Sequence, residues 1–147
     1  MNNMVFRYVD GVAGGGLLIT MHTSRAPSDS EWAGYFAEVV KHDPAKLKSL
    51  NFTDGGAPNG AQRKQVNDFL KGRTSRCAVV TASSFVRGVV TALSWFNPEI
   101  KAYPSDDLES ALQHLGVRDQ EVLLVRREIQ VLHKRIGQED LKSFAVL

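Results

Sequence analysis

Residues 50–70 read Leu-Asn-Phe-Thr-Asp-Gly-Gly-Ala-Pro-Asn-Gly-Ala-Gln-Arg-Lys-Gln-Val-Asn-Asp-Phe-Leu, which predicts a strand, a glycine-rich turn and the start of a helix. Backbone N–H groups at such a helix N-terminus have no partner within the helix, and glycines let a binding partner approach them closely. We therefore expect the main binding surface at this turn. The predicted partner- or ligand-binding residues are Asp54, Gly55, Gly56, Asn59, Gly60 and Arg63.

The polar residues of this turn also have a structural interpretation. Asp54 and Asn59 belong to the residue types that cap helices and satisfy turn backbones, so we favour capping for both. Arg63 and Lys64 lie in the first turn of the helix, where a cation is mildly unfavourable. We therefore interpret these two cations as part of a solvated helix face and not as an anion site.

The composition is that of one folded domain. The chain has 147 residues, of which 43% are hydrophobic and 23% charged, with a net charge of +2. Such a weak basic excess does not indicate a nucleic-acid-binding protein. The single cysteine cannot form an internal disulfide, the N-terminus lacks a secretory signal, and no apolar run approaches the roughly 20 residues of a membrane span. We expect a cytoplasmic location.

The order of predicted elements is strand, strand, helix, strand, helix, strand, helix, strand, helix, with a glycine-rich hairpin at residues 13–16. This order predicts an α/β fold: a mixed β-sheet of about five strands with helices mainly on one face. The pattern is complete at Gly116, so we expect an α/β domain over residues 1–116 and an appended C-terminal helical extension over residues 117–147.

The extension carries apolar residues in alternating steps of three and four, and we call them the C-terminal seam: Val122, Val125, Ile129, Leu132 and Ile136. We expect this seam to mediate self-association or partner docking; the competing possibility is that it folds back onto the sheet. The helix also carries basic residues, which are interrupted by Glu121 and Glu128. Because these acidic residues would oppose binding to phosphates, we favour packing over nucleic-acid or anionic-membrane binding.

The element order over residues 4–116 resembles the STAS domain, the fold of anti-sigma factor antagonists. Two runs are similar to segments of small bacterial STAS-like proteins: Asp-Gly-Gly-Ala-Pro at 54–58 and Arg-Gly-Val-Val-Thr-Ala-Leu-Ser-Trp-Phe-Asn-Pro at 87–98. In signalling members of that family, a phosphorylatable serine begins the helix after the central strand. Pro58-Asn59-Gly60 occupies that place here, so the resemblance implies the fold but not the phosphorylation switch.

The residue types that carry catalysis are scattered. Cys77 lies in an apolar run without a neighbouring histidine, which favours packing over nucleophilic chemistry. Ser83 and Ser84 follow a predicted strand without a nucleophile-elbow motif, so capping is preferred. The four histidines have no metal-ligand spacing. We therefore expect no catalytic residues, no metal and no cofactor.

The function that these patterns favour is a non-enzymatic regulatory or scaffolding module that binds another protein, as in bacterial signalling, and forms homo-oligomers through its last helix. The main alternative is a domain that binds a lipid or an anionic metabolite in a pocket between sheet and helices, as resemblance to the CRAL-TRIO fold implies. A small enzyme is the third interpretation.

Overall fold

The computed structural model describes residues 2–94 and 99–137. Its strands and long helices are β1 (Met4–Asp10), β2 (Gly16–His22), α1 (Asp29–Val39), β3 (Lys48–Thr53), α2 (Gly60–Leu70), β4 (Arg76–Val80), α3 (Ser84–Ser94), β5 (Ile100–Tyr103), α4 (Leu108–Leu115) and α5 (Val122–Ile136). A 3-10 helix, Asp119–Glu121, precedes α5. Residues 95–98 of the second STAS-like run and residues 138–147 of the predicted extension lie outside the described residues.

The five strands form one mixed sheet in the order β1-β2-β3-β4-β5. β1 and β2 pair antiparallel as the predicted hairpin, and the remaining neighbours are parallel, with Ile19 opposite Leu50 and Phe52 opposite Val80. Parallel neighbours need crossover connections, and the intervening helices provide them. The predicted α/β class with a mixed five-stranded sheet is confirmed.

Helices cover both faces of this sheet. Along β2, Leu17, Ile19 and Met21 join the main core with α4 and α5, whereas Leu18 packs on the opposite face with Val39 of α1. The order of elements in the sequence predicted helices mainly on one face. The structure differs because every residue of β2 is buried, and a strand that is buried on both faces must be covered on both.

The C-terminal seam, which lies on α5, is part of the main core, and this corrects the prediction that it forms an oligomer or docking surface. Val125, Ile129, Leu132 and Ile136 are buried beside residues of β1 and β2, and Val122 packs against the same cluster. An amphipathic helix gains stability by burying its apolar face, and here the uncovered face of β1 and β2 is the nearest apolar surface. These contacts match the competing possibility, in which the seam folds back onto the sheet.

The Glu31 carboxylate connects α1 to the beginning of β1. It accepts hydrogen bonds from the backbone N–H groups of Asn3 (2.9 Å), Met4 (3.0 Å) and Ser28 (2.9 Å). Although burial opposes ionisation, these hydrogen bonds hold the pKa of Glu31 below its usual value. The same side chain completes a capping box with Ser28, so one residue starts the helix and fixes it to the sheet.

Candidate functional site

The predicted binding turn lies at the carboxyl edge of the sheet. β2, β3, β4 and β5 are parallel, so the turns that follow them meet along this edge. The turn after β3 contains residues 54–59, and the turn after β4 contains residues 81–83. Ligands of open α/β sheets usually bind outside the carboxyl ends of strands, which makes this edge the candidate functional site.

The backbone of the turn is held in one conformation by its own hydrogen bonds. The Thr53 hydroxyl donates to the Gly56 carbonyl (2.6 Å) and accepts from the Gly55 N–H (3.1 Å). The Gly56 N–H donates to the Thr23 carbonyl (2.8 Å). Thr53 is buried, so its hydroxyl holds the turn and is not presented to solvent.

Gly56 is buried for a packing reason. A Cβ atom at this position would lie 2.4 Å from the Thr23 carbonyl oxygen and 2.3 Å from the Arg25 carbonyl oxygen. Real Cβ atoms do not approach backbone so closely, so only glycine allows the turn to pack on the segment after β2. Among the predicted site residues, Gly56 therefore faces the protein's own backbone.

Asn59 caps α2, in agreement with the capping interpretation. Its side chain accepts from the Gln62 N–H (2.9 Å), and the Gln62 side chain accepts from the Asn59 N–H (2.9 Å). Gln62 is buried and also donates to the Pro27 carbonyl (3.2 Å). This reciprocal box satisfies two N–H groups that an anion would otherwise bind. It explains why polar residues begin α2 without forming an anion site.

The remaining predicted residues form the outer surface of the turn. Gly55, Gly60 and Arg63 are exposed, and Asp54 is half-buried. The Arg63 guanidinium donates to the Pro58 carbonyl (2.7 Å), which holds the cation over the turn. The structure thus brings the predicted site residues together, with Gly56 directed inward.

Phe85 is an exposed residue of this edge that is not among the predicted site residues. It lies in the first turn of α3, four residues after Thr81, and its side chain is 79% exposed. Val89, one helical turn later, is 46% exposed, whereas Val90 is buried. Both valines are apolar and both fit a helical stripe. At 100° per residue, the apolar residues of α3 at 85, 86, 89 and 90 span about 140°, so their spacing fits one face and gives no signal that Phe85 is exposed.

A cleft of about 400 Å³ separates α1 from α2 and opens to solvent. Its lining residues are Asp29, Trp32, Ala33, Phe36, Ala37, Asn59, Ala61, Gln62 and Gln65. The Trp32 indole N–H donates to the Gln65 side chain (2.6 Å) across it. The cleft adjoins the capped start of α2 and lies between two helices, whereas the sequence alternative expected a pocket between sheet and helices.

The reactive residue types have structural contacts. The Cys77 thiol lies 3.1 Å from the Asn51 amide, and burial raises its pKa, which keeps it protonated. The Ser83 hydroxyl accepts from the Val86 N–H (3.2 Å) and so caps α3. Within residues 2–94 and 99–137, no three His, Cys, Asp or Glu side chains gather as metal ligands would.

The similarity of this chain to known proteins lies in its fold. The sequence matches no protein-family model and no curated protein. Among solved structures, the chain is similar to an uncharacterised protein of the DUF3478 family with a SpoIIAA-like fold, from Shewanella loihica PV-4. The likeness has a TM-score of 0.59, covers 78% of this chain and 95% of that chain, and has 13% sequence identity.

The chain has a SpoIIAA-like fold. Because the SpoIIAA-like fold is STAS-like, the predicted STAS-like fold is confirmed. An identity of 13% supports the fold and carries no residue roles from that protein to this one. No helix of the described SpoIIAA-like domain combines the length and apolarity needed to cross a bilayer.

Proposed function

We propose that this SpoIIAA-like domain is a non-enzymatic regulatory or scaffolding module that binds another protein in the cytoplasm. The proposed contact surface, which we call the edge surface, consists of Asp54, Gly55, Asn59, Gly60, Arg63 and Phe85. Gly56 is left out because it packs against the backbone after β2. The unpaired Cys77 agrees with a reducing compartment.

The observation that carries this proposal is the exposure of Phe85 beside a polar turn. An aromatic ring that is 79% exposed costs solvation free energy in the free domain and gains it when a partner covers it. Aromatic and arginine side chains dominate binding energy at protein interfaces, usually within a polar rim. Arg63 and Asp54 supply such a rim on the neighbouring turn.

The internal hydrogen bonds of the turn favour binding further. Thr53 and the Asn59–Gln62 capping box hold the backbone in place before a partner arrives. A rigid surface loses less conformational entropy on association than a mobile loop does. The glycines leave the outer backbone of the turn accessible to a partner's side chains.

Affinity purification from native cells tests the edge surface. Wild-type bait is compared with Phe85→Ser, with the Asp54→Lys/Arg63→Glu double variant, and with Val40→Ser as a control at an exposed apolar position of the α1 C-terminus. We expect a specific protein that the wild type and Val40→Ser retain and the two edge variants lose. If Phe85→Ser retains every specific protein at wild-type level while remaining folded, the proposal is wrong.

A second candidate function, binding of a small ligand, is favoured by the cleft between α1 and α2. Its volume of about 400 Å³ is in the usual range of ligand sites, and Trp32 and Phe36 give it an apolar wall. The Asp29 carboxylate opposes an anionic metabolite and favours an uncharged lipid. Native mass spectrometry of the purified chain should then detect a bound lipid that Phe85→Ser keeps and Trp32→Ala loses.

A further inference from the structure

The face of α5 opposite the seam exposes aliphatic side chains. Leu123 is 61% exposed, Leu124 44% and Val131 43%. A helix that only covered a sheet would place polar residues at such positions, because exposed aliphatic groups are hydrated at a free-energy cost. With a rise of 1.5 Å per residue, these side chains extend over roughly 12 Å of helix.

The same face is cationic. Arg127, Lys134 and Arg135 are exposed beside the aliphatic residues. At 100° per residue, Arg127 and Lys134 project within about 20° of each other around the helix axis. Their directions fall between those of Leu123 and Val131. Along the described length of α5, no acidic side chain is exposed.

The two acidic residues that interrupt the basic residues in the sequence, Glu121 and Glu128, are turned inward. Glu121 is buried and accepts from the backbone N–H groups of Ala13 (3.2 Å) and Arg118 (2.9 Å) and from the Arg118 guanidinium (3.2 Å). Glu128 forms an ion pair with Arg7 of β1, and its side chain is largely buried. Neither carboxylate therefore reaches the outer face, and the objection to an anionic partner that the sequence raised no longer applies.

We propose that the outer face of α5 docks on the surface of an anionic lipid bilayer, with the helix parallel to the membrane plane. Aliphatic side chains can enter the boundary between headgroups and acyl chains while Arg and Lys extend to lipid phosphates. This docking is peripheral and goes beyond the proposed protein-binding role of the edge surface.

Other occupants fit this face less well. Nucleic acid would use the cations but would leave Leu123 and Leu124 without apolar contacts. A second copy of the chain would bring Arg127 and Lys134 against the same cations of its partner, which is unfavourable. An anionic bilayer provides phosphates for the cations and an apolar region for the aliphatic side chains. A bilayer surface also contacts a convex helix without a complementary pocket.

Vesicle co-sedimentation of the full chain tests the docking. The probes are vesicles of phosphatidylcholine alone and of equal parts phosphatidylcholine and phosphatidylglycerol. We expect binding only to the anionic vesicles, weakened at least tenfold by Arg127→Glu/Lys134→Glu and similarly by Leu123→Ser/Leu124→Ser. The matched control is Lys71→Glu/Arg73→Glu, which makes the same charge change in the exposed turn after α2 and should bind as the wild type does.

Three outcomes would overturn the proposal once circular dichroism and melting have shown that the variants are folded. The first is wild-type protein that does not sediment with anionic vesicles. The second is equal loss of binding in the Lys71/Arg73 control, because net charge alone would then explain the attraction. The third is competition by duplex DNA together with wild-type binding of Leu123→Ser/Leu124→Ser, which would assign the face to nucleic acid.

Discussion

We expect the buried ring of His22 to make the stability of this domain sensitive to mild acid. The ring lies at the end of β2 with 6% exposure, and its Nδ1 has no hydrogen-bond partner among the described residues. Burial disfavours the charged imidazolium and lowers the pKa of His22 to about 4, an effect that the nearby Glu31 carboxylate only partly opposes. In the unfolded chain, a histidine pKa is about 6.5.

The sign and size of the effect follow from these two values. The pKa of His22 is lower in the folded chain than in the unfolded chain. Between pH 6.5 and pH 4, His22 is therefore protonated in the unfolded chain and neutral in the folded chain. Stability is therefore fully present above about pH 6.5 and is lost as the pH falls. The free energy of unfolding should fall by about 2 kcal/mol from pH 7 to pH 5, and by about 3 kcal/mol from pH 7 to pH 4.

Urea unfolding at pH 7 and pH 5, for the wild type and His22→Gln, isolates this contribution. Glutamine is neutral at both pH values, so the variant should lose about 2 kcal/mol less than the wild type between them. Glu31 also has a lowered folded pKa and loses stability in acid, but its unfolded pKa of about 4.3 places most of that loss below pH 5. The Glu31 contribution is also common to both proteins.

Equal pH dependence in the two proteins would refute the reasoning. It would mean that water or a movement of α1 stabilises the charged His22 ring in the folded domain at little cost. A parallel measurement by thermal melting guards against a change in the urea m-value, which reports altered compactness of the unfolded chain.

Four substitutions and one truncation test the packing. Gly56→Ala should lower the free energy of unfolding by about 1–3 kcal/mol because its Cβ would clash with backbone atoms. At Gly60→Ala the nearest atom to the new Cβ lies 3.9 Å away, so this variant should be neutral or stabilising. Equal melting temperatures of the two variants would contradict this prediction. Ile129→Ala should cost about 2–5 kcal/mol and Val131→Ala under about 0.5 kcal/mol, as measured by urea unfolding, and the reverse order would reject the packing of α5. Cutting the chain after residue 116 removes four buried seam side chains, whose burial contributes about 6–12 kcal/mol to the free energy of unfolding. Circular dichroism should therefore show that the fragment is unfolded. A fragment that melts cooperatively would restore the appended-helix interpretation.

Local signals predicted the part of the fold that depends on neighbouring residues. The strand, turn and helix of residues 50–70 appear as β3 and α2, and Asn59 with Gln62 forms the capping box that begins the helix. Caps and turns are specified within a few residues, so one sequence is enough to find them. The hairpin between β1 and β2 was predictable for the same reason.

The errors concern what an apolar face packs against. The spacing of Val125, Ile129 and Leu132 is the same whether a helix covers its own sheet or a second chain, and the structure shows the first. Phe85 and Val90 are both apolar residues of α3, yet Phe85 is exposed and Val90 is buried. Periodicity identifies a stripe but not its partner, which is set by contacts between residues distant in sequence.

Charge patterns have the same limit. Glu121 and Glu128 appear in the sequence as partners of the basic residues on α5, yet each is engaged on the inner side of the helix. A count of charges along a helix gives their number and not their direction. The sequence of α5 carries charges of both signs, but its described outer face is cationic. The bilayer proposal is based on this difference.

The separation of core from surface makes the two proposed contacts testable without loss of fold. The main core lies between β1–β4 and the helices α4 and α5, whereas Arg63 and Phe85 lie in the first turns of α2 and α3 at the sheet edge. Substitutions at exposed positions usually change stability by less than about 0.5 kcal/mol, far below the effect expected at Ile129. Loss of partner binding in Phe85→Ser, or of vesicle binding in an outer-face α5 variant, can then be assigned to the missing contact. Gly56 is the exception at this edge, because it belongs to the predicted site by sequence and to the packed interior by structure.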